Sequence, residues 1–208
     1  MANSNTSTRT ATKQEALALL QKNRLPEAKN LYAELCQSDR TDTEAHYMLG
    51  VVSGKLKQFA EAADCFRQVV AIQPQMAMAH YGLGAALKAQ GKLTEAMDSL
   101  KQAVQIKPDL AAACFDLGNV LYSLGKLDEA KENLQQALRL KPTADAHFSL
   151  GKVQFSQGLM IEAVASYQEA LKLNPARADI YSALGFAWLS RGGLNEAVES
   201  CRQAIKLK

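Results

Sequence analysis

The dipeptide Glu-Ala returns along this chain on a fixed beat: Glu27-Ala28, Glu61-Ala62, Glu95-Ala96, Glu129-Ala130, Glu162-Ala163 and Glu196-Ala197. Successive alanines lie 34, 34, 34, 33 and 34 residues apart. Glycines preceded by leucine keep the same interval at Gly50, Gly84, Gly118, Gly151 and Gly185, as do Pro74, Pro108, Pro142 and Pro175. Such a period points to one supersecondary unit that cannot bury its apolar face alone and is stacked on copies of itself.

Within a unit, apolar residues recur at helical spacing twice, as in His80, Leu83 and Leu87 followed by Leu93, Ala96, Leu100 and Ala103. Gly91, Gly125, Gly158 and Gly192 fall between the two runs, where a left-handed residue ends a helix. Asn23 and Lys57 stand in the same place, and Lys57 is the awkward case because lysine disfavours that conformation. The second helix is expected to open at Asp128-Glu129 or Asn195-Glu196, with a capping side chain and a carboxylate near the exposed amides. It should close before the proline, which cannot donate the next hydrogen bond. The Gly84, Ala96 and Ala103 positions are small because closely crossing helices leave no room for more. The reading is an all-α chain of antiparallel helix pairs.

Composition narrows the function classes. Apolar residues at 48% and charged residues at 22% are usual for a folded chain. A net charge of +3 over 208 residues gives no electrostatic argument for nucleic acid. No run approaches the ~18 apolar residues of a membrane span, so no membrane partner is expected. MANSNTSTRTATKQ lacks the apolar stretch of a secretory signal. Cys36, Cys65, Cys114 and Cys201 are far apart in sequence and read as reduced thiols, which places the chain in the cytoplasm.

The 34-residue spacing, with Leu-Gly, a small residue in Glu-Ala and a terminal proline, resembles the tetratricopeptide repeat. The likeness runs from Arg9 to Lys208. It divides the chain into a disordered tail at 1–8 and repeats near 9–42, 43–76, 77–110, 111–143, 144–177 and 178–208, the last truncated. The family's usual tryptophan is replaced by His46, His80, Cys114, His147 and Tyr181. The resemblance implies a right-handed superhelical α-solenoid whose groove is lined by the first helices.

Two tempting chemistries fail. His46, His80, Cys114 and His147 are metal-ligand types at one repeat position. Zinc ligands lie ~2.0–2.3 Å from the ion, whereas stacked helices are ~8–10 Å apart, so these residues read as half-buried contacts and no metal is expected. Gly84 to Gly91-Lys92 has six residues between its glycines where a phosphate loop needs four, with leucine after the lysine. No catalytic residues and no cofactor are expected.

Function is then expected on the groove. The resemblance implies lining positions five, nine and twelve, among others. The fifth reads Lys13, Tyr47, Tyr81, Phe115, Phe148 and Ser182; the ninth includes Asn119 and Lys152; the twelfth includes Lys88, Tyr122 and Phe155. These positions share a helix face. Tyr47, Tyr81, Lys88, Phe115, Asn119, Tyr122, Phe148, Lys152 and Phe155 are therefore the candidate peptide-binding residues. The rings either contact a ligand or complete the core by lying sideways on the neighbouring helix, the latter reading being favoured for Tyr47. A terminal-carboxylate clamp is not matched, since only Asn119 of its pattern is present at the ninth position. The sixth-position asparagine ladder of arrays preceding O-linked N-acetylglucosamine transferases is also absent.

Three functions follow in order: a non-catalytic protein-interaction scaffold for a peptide or amphipathic helix; the substrate-recruiting N-terminal array of a larger glycosyltransferase or sulfotransferase; and an RNA-binding helical repeat. Thr12 and Glu15 give the first unit a polar face, while Val198, Cys201 and Ile205 leave the last helix apolar. That end is expected to continue into further sequence or to self-associate through the uncapped repeat.

Overall fold

The computed structural model describes the backbone of residues 2–207 and the side chains of residues 8–207. Among these residues are twelve α-helices and no strand. They are α1 (Ala2–Gln21), α2 (Leu25–Ser38), α3 (Thr43–Lys55), α4 (Phe59–Ile72), α5 (Ala77–Ala89), α6 (Leu93–Ile106), α7 (Ala111–Ser123), α8 (Leu127–Leu140), α9 (Ala144–Ser156), α10 (Met160–Leu173), α11 (Ala178–Arg191) and α12 (Leu194–Lys206). Two compact units divide at Lys107: Met1–Lys107 holds α1 to α6, and Pro108–Lys208 holds α7 to α12. In each, consecutive helices lie against one another as antiparallel pairs. The helix α1 begins inside the stretch read as a tail at 1–8, although the side chains before Thr8 lie outside the described residues.

The first helices end as their sequence dictates. Gly91 has φ of 76°; its amide donates to Lys88 O at 3.0 Å and the Lys92 amide donates to Leu87 O at 3.0 Å. This paired closure satisfies carbonyls that the last helical turn leaves open. Gly125, Gly158 and Gly192 share the conformation, with φ of 74°, 79° and 88°. Asn23 and Lys57 are forced into it at 58° and 61°. At Lys57 the same two bonds hold the chain, Lys57 N to Gly54 O at 3.0 Å and Gln58 N to Ser53 O at 2.9 Å.

The second helices begin differently from the expectation. Lys126 and Gly193 occupy the N-cap positions of α8 and α12, and neither makes a side-chain cap bond. Asp128 instead sits inside the first turn and accepts a hydrogen bond from Gln157 Nε2 at 2.7 Å. The reason is register: the tight Gly125 turn starts α8 one residue before the aspartate, so its carboxylate lies beyond the N-cap. The repeated carboxylates Glu27, Glu61, Glu95, Glu129, Glu162 and Glu196 stand in first turns, where the positive helix end favours them.

Side-chain caps belong to first helices. Asp42 accepts from the Ala45 amide at 3.0 Å and Thr143 Oγ1 from the Ala146 amide at 3.2 Å. Asp42 also ties α1 down: Arg9 Nη2 lies 2.7 Å and Lys13 Nζ 3.0 Å from its carboxylate, which is only 7% exposed. Arg9 reaches Asp39 as well, at 2.9 Å. Hydrogen bonds from the Thr41 hydroxyl and amide, with Arg9 third, hold the Asp39 carboxyl down at about 2. For Asp42, burial pushes upward, but the Ala45 amide, Lys13 and Arg9 together outweigh it and hold the carboxyl below its usual value.

Contacts between first helices join α3 to α5 in one unit, and α7 to α9 and α9 to α11 in the other. The Leu-Gly glycines permit close pairing with the second helix. A Cβ at Gly84 would meet Leu100 Cγ at 2.6 Å, and one at Gly118 would meet Leu134 Cγ at 2.7 Å. Leu100 and Leu134 are wholly buried in these seats.

Replacing Lys57 by glycine should raise stability by about 1 kcal/mol, the left-handed penalty of a side-chain-bearing residue, as an upward shift of the urea midpoint. Acid should loosen α1 first. The Asp39 and Asp42 carboxyls are depressed in the folded state, so their contribution is full above the unfolded carboxylate value of ~3.9 and fades as pH falls through the folded values, about 2 for Asp39. Hydrogen exchange across pH 5 to 2 should show α1 amides opening before those of α3 and α4. Asp42→Ala should remove a cap and two ion pairs, costing about 1–2 kcal/mol at neutral pH.

Candidate functional site

In the first unit, positions five, nine and twelve place Tyr47, Val51 and Gly54 on α3 and Tyr81, Ala85 and Lys88 on α5. Between these helices opens a pocket of about 530 Å³ lined by Gly50, Val51, Gly54, Lys55, Phe59, Ala62, Phe66, Tyr81, Gly82, Ala85 and Ala86. Its apolar floor is Phe66, which rises from α4 and is 5% exposed. The ring fits because two helices give it room: a Cβ at Gly50 would stand 3.0 Å from it, and one at Gly82 only 2.6 Å. By contrast, a Cβ at Gly54 would meet nothing within 4 Å, so that glycine opens the pocket without making room for a neighbour.

Tyr47 meets Phe66 edge to face, with centroids 5.7 Å apart and planes at 64°. Burial pushes its phenol up. It braces the floor ring, while Tyr81 lines the pocket itself. Lys88 is half-buried on α5. The sequence reading missed Phe66 and Gly82. Their signal was present: phenylalanine replaces the leucine found at Leu100 and Leu134, and the sixth position shrinks to glycine one unit later.

In the second unit, taken by itself, these positions carry more polar side chains. On α9, Lys152 Nζ lies 5.0 Å from the centroid of Phe148 and 5.6 Å from that of Tyr122 on α7. Such distances are those at which a ring face attracts a cation. Phe148 leans on Tyr167 of α10, with centroids 5.8 Å apart, and Arg177 lies 5.6 Å from the same Phe148 ring. Arg177 is neutralised by Asp145 at 2.8 Å and Asp179 at 2.7 Å. Tyr122 Oη is 3.3 Å from Ser156 Oγ, which fixes its ring beneath the ammonium. Phe155 and Phe148 border the core of α10 and α11. Asn119 is half-buried on α7, at the position that Lys152 fills on α9.

Phe115 lines a separate pocket of about 260 Å³ with Ala111, Ala112, Ala137, Lys141, Thr143, Asp145 and Ala146. The four fifth-position rings thus fall two to each unit, Tyr47 with Tyr81 and Phe115 with Phe148. Phe186 and Leu189 of α11, at the ninth and twelfth positions, were left out of the candidate set yet are 66% and 53% exposed.

The histidine position has a structural explanation. His80 Nε2 lies 2.9 Å from Pro74 O, and Cys114 Sγ 3.8 Å from Pro108 O, so these two side chains reach back to the loop that precedes their helix, whereas the buried His46 Nε2 meets no partner. Burial holds the His147 imidazole below its usual value. Burial also raises two thiols, Cys36 to about 11 and Cys65 to about 12, which keeps them protonated at neutral pH. Among the described residues, no group of three or more His, Cys, Asp or Glu side chains is placed to hold a metal ion. No helix of the described residues is long and apolar enough to cross a membrane.

No curated protein matches the chain. Family models described as tetratricopeptide repeat match residues 43–76 and 115–175, and one described as TPR repeat matches 86–125 and 161–192. The chain is a tetratricopeptide repeat protein. Among solved structures, the crystal structure of MamA is similar with a TM-score of 0.73 at 26% identity, covering 76% of this TPR chain and 94% of that one. YrrB, described as a TPR protein with an unusual peptide-binding site, gives 0.76 at 20% identity over 85% and 92%. MamA from Desulfovibrio magneticus RS-1 gives 0.75 at 18% over 79% and 94%. The last two show the shared fold alone. TPR arrays of this kind are protein-interaction modules.

Two glycines of the pocket should respond with opposite sign to alanine. Gly54→Ala should stabilise by about 1 kcal/mol through helix propensity, since its Cβ enters open space. Gly82→Ala should destabilise by about 1–3 kcal/mol through overpacking, because its Cβ collides with Phe66. Thermal unfolding of the two variants beside the parent measures both.

Proposed function

We propose that this TPR protein is a non-catalytic scaffold that binds a peptide or an amphipathic helix along the faces of its first helices. The observation carrying this reading is the pocket between α3 and α5. Apart from Lys55, its lining is apolar or aromatic, with Val51, Phe59 and Tyr81 beside glycines and alanines, and the Phe66 ring forms the base. Apolar pockets floored by a ring are where a few anchor side chains supply most of the binding energy. A leucine or phenylalanine inserted there gains about 1.5–3 kcal/mol from leaving water. An amphipathic helix offers such anchors every three or four residues.

Half-burial of the groove rings supports the same reading. Rings held by neighbours, as Tyr47 is by Phe66 and Phe148 by Tyr167, lose little freedom when a ligand arrives. The aromatic side chains therefore act in both ways that the sequence left open. One edge joins the core, and the remaining surface is offered to a partner.

Gly54→Leu tests the proposal, because the new side chain fills the pocket from a site where nothing stands within 4 Å. The variant should fold at least as stably as the parent. Peptides selected by the parent chain from a randomised library should bind it about tenfold or more weakly, a loss equal to one anchor's contribution. Unchanged affinity in a fully folded Gly54→Leu chain would sink the assignment of the pocket.

A further inference from the structure

We infer that the second unit reads an acidic side chain inside the bound peptide, with Lys152 as the residue that pairs with it. The inference rests on the peptide-binding reading above and names the chemistry of the partner.

Lys152 Nζ is held over Phe148 at 5.0 Å and Tyr122 at 5.6 Å, and no carboxylate of the described residues lies within ion-pair distance of it. Arg177 sets the contrast. It approaches the same Phe148 ring but carries Asp145 and Asp179 as counter-charges. Two rings attract an ammonium without accepting its hydrogen bonds as a carboxylate would, so its N–H donors stay available. The ammonium is also placed in advance, since Tyr122 is bonded to Ser156 and Phe148 rests on Tyr167. A ligand carboxylate meeting it need not order a free lysine side chain first.

The surroundings specify what accompanies that carboxylate. On α11, next to α9, Phe186 and Leu189 are 66% and 53% exposed at the ninth and twelfth positions. On the other side, α7 presents Asn119 and Tyr122. Lys152 thus lies between two further stretches of the same face. A chain crossing it continues in both directions, which fits an aspartate or glutamate within a peptide, next to an apolar residue resting on Phe186 or Leu189. One unpaired ammonium matches a single carboxylate. With Arg177 already neutralised, the charge does not suit a dianionic phosphate.

The test uses the whole chain and a randomised 12-residue library displayed within a loop of a carrier protein, so that no peptide has a free terminus. Lys152→Gln and Lys152→Arg are compared with the parent after circular dichroism shows equal helicity. The parent should select peptides enriched in one Asp or Glu beside Leu, Phe or Met. Lys152→Gln should select apolar peptides without the acid, and Lys152→Arg should retain it. The best parental peptide should lose about tenfold or more in affinity for Lys152→Gln. Its Asp-to-Asn or Glu-to-Gln counterpart should lose a similar factor against the parent and no more against the variant, the signature of a direct pair. Acid enrichment that persists with Lys152→Gln overturns the inference. So does selection of apolar peptides alone by the parent, which leaves the peptide-binding reading standing. Binding confined to a second display of the library, with free C-terminal carboxylates, also overturns it. If the parent selects no peptide from either display, both readings fall together.

Discussion

Everything in each unit hangs on a bare helix backbone meeting a side chain of its partner helix. At Gly84 and Gly118 the visitor is a leucine whose Cγ would stand 2.6 and 2.7 Å from an added Cβ; at Gly151 it is the Tyr167 ring, at 2.5 Å. These approaches set how closely the two helices of a pair lie, and so which side chains remain on the outer side of the first helix. Where the visitor is leucine it is swallowed whole, as the complete burial of Leu100 and Leu134 shows. Where it is Phe66, the ring extends past Gly50. Phe66 then reaches Gly82 on the following first helix and becomes the base of a pocket.

This separation of frame and content explains what could be read from the sequence. Helix number and helix ends followed from periodic Leu-Gly, Glu-Ala and proline, because each is a local demand on backbone or on close contact. The groove was legible only as positions. Periodicity marks Tyr81 and Lys152 as facing the same way as their counterparts, but it does not say that Lys152 lies on Phe148 and Tyr122 while Phe115 lines a different pocket. Those outcomes depend on residues from second helices, Tyr167 against Phe148 and Ala137 beside Phe115, which the repeat pattern treats as ordinary core.

The misreading of the second-helix starts has the same root. Asp128 and Asn195 are good capping residues by composition, yet the turn at Gly125 or Gly192 brings the helix in one residue earlier. Capping at side-chain level moves to the other kind of junction, at Asp42 and Thr143, where the loop leaves the second helix in an extended conformation at Asp39 and Lys141. The recurrent histidine and cysteine position likewise serves that loop: His80 and Cys114 reach the carbonyl of the proline that closed the previous helix.

Phe66 and Gly82 belong to different helices of different repeats, but they share one space. A smaller residue at 66 releases the space that now forbids a side chain at 82, and any side chain at 82 forces the ring to move. The second unit already contains the alternative pairing, Leu134 with Ser149 at the matching positions, built on the same repeat frame. Whether that pocket is open or filled is therefore set by a two-residue couplet. A double exchange can change one pocket while the neighbouring repeats keep their helices and their turns.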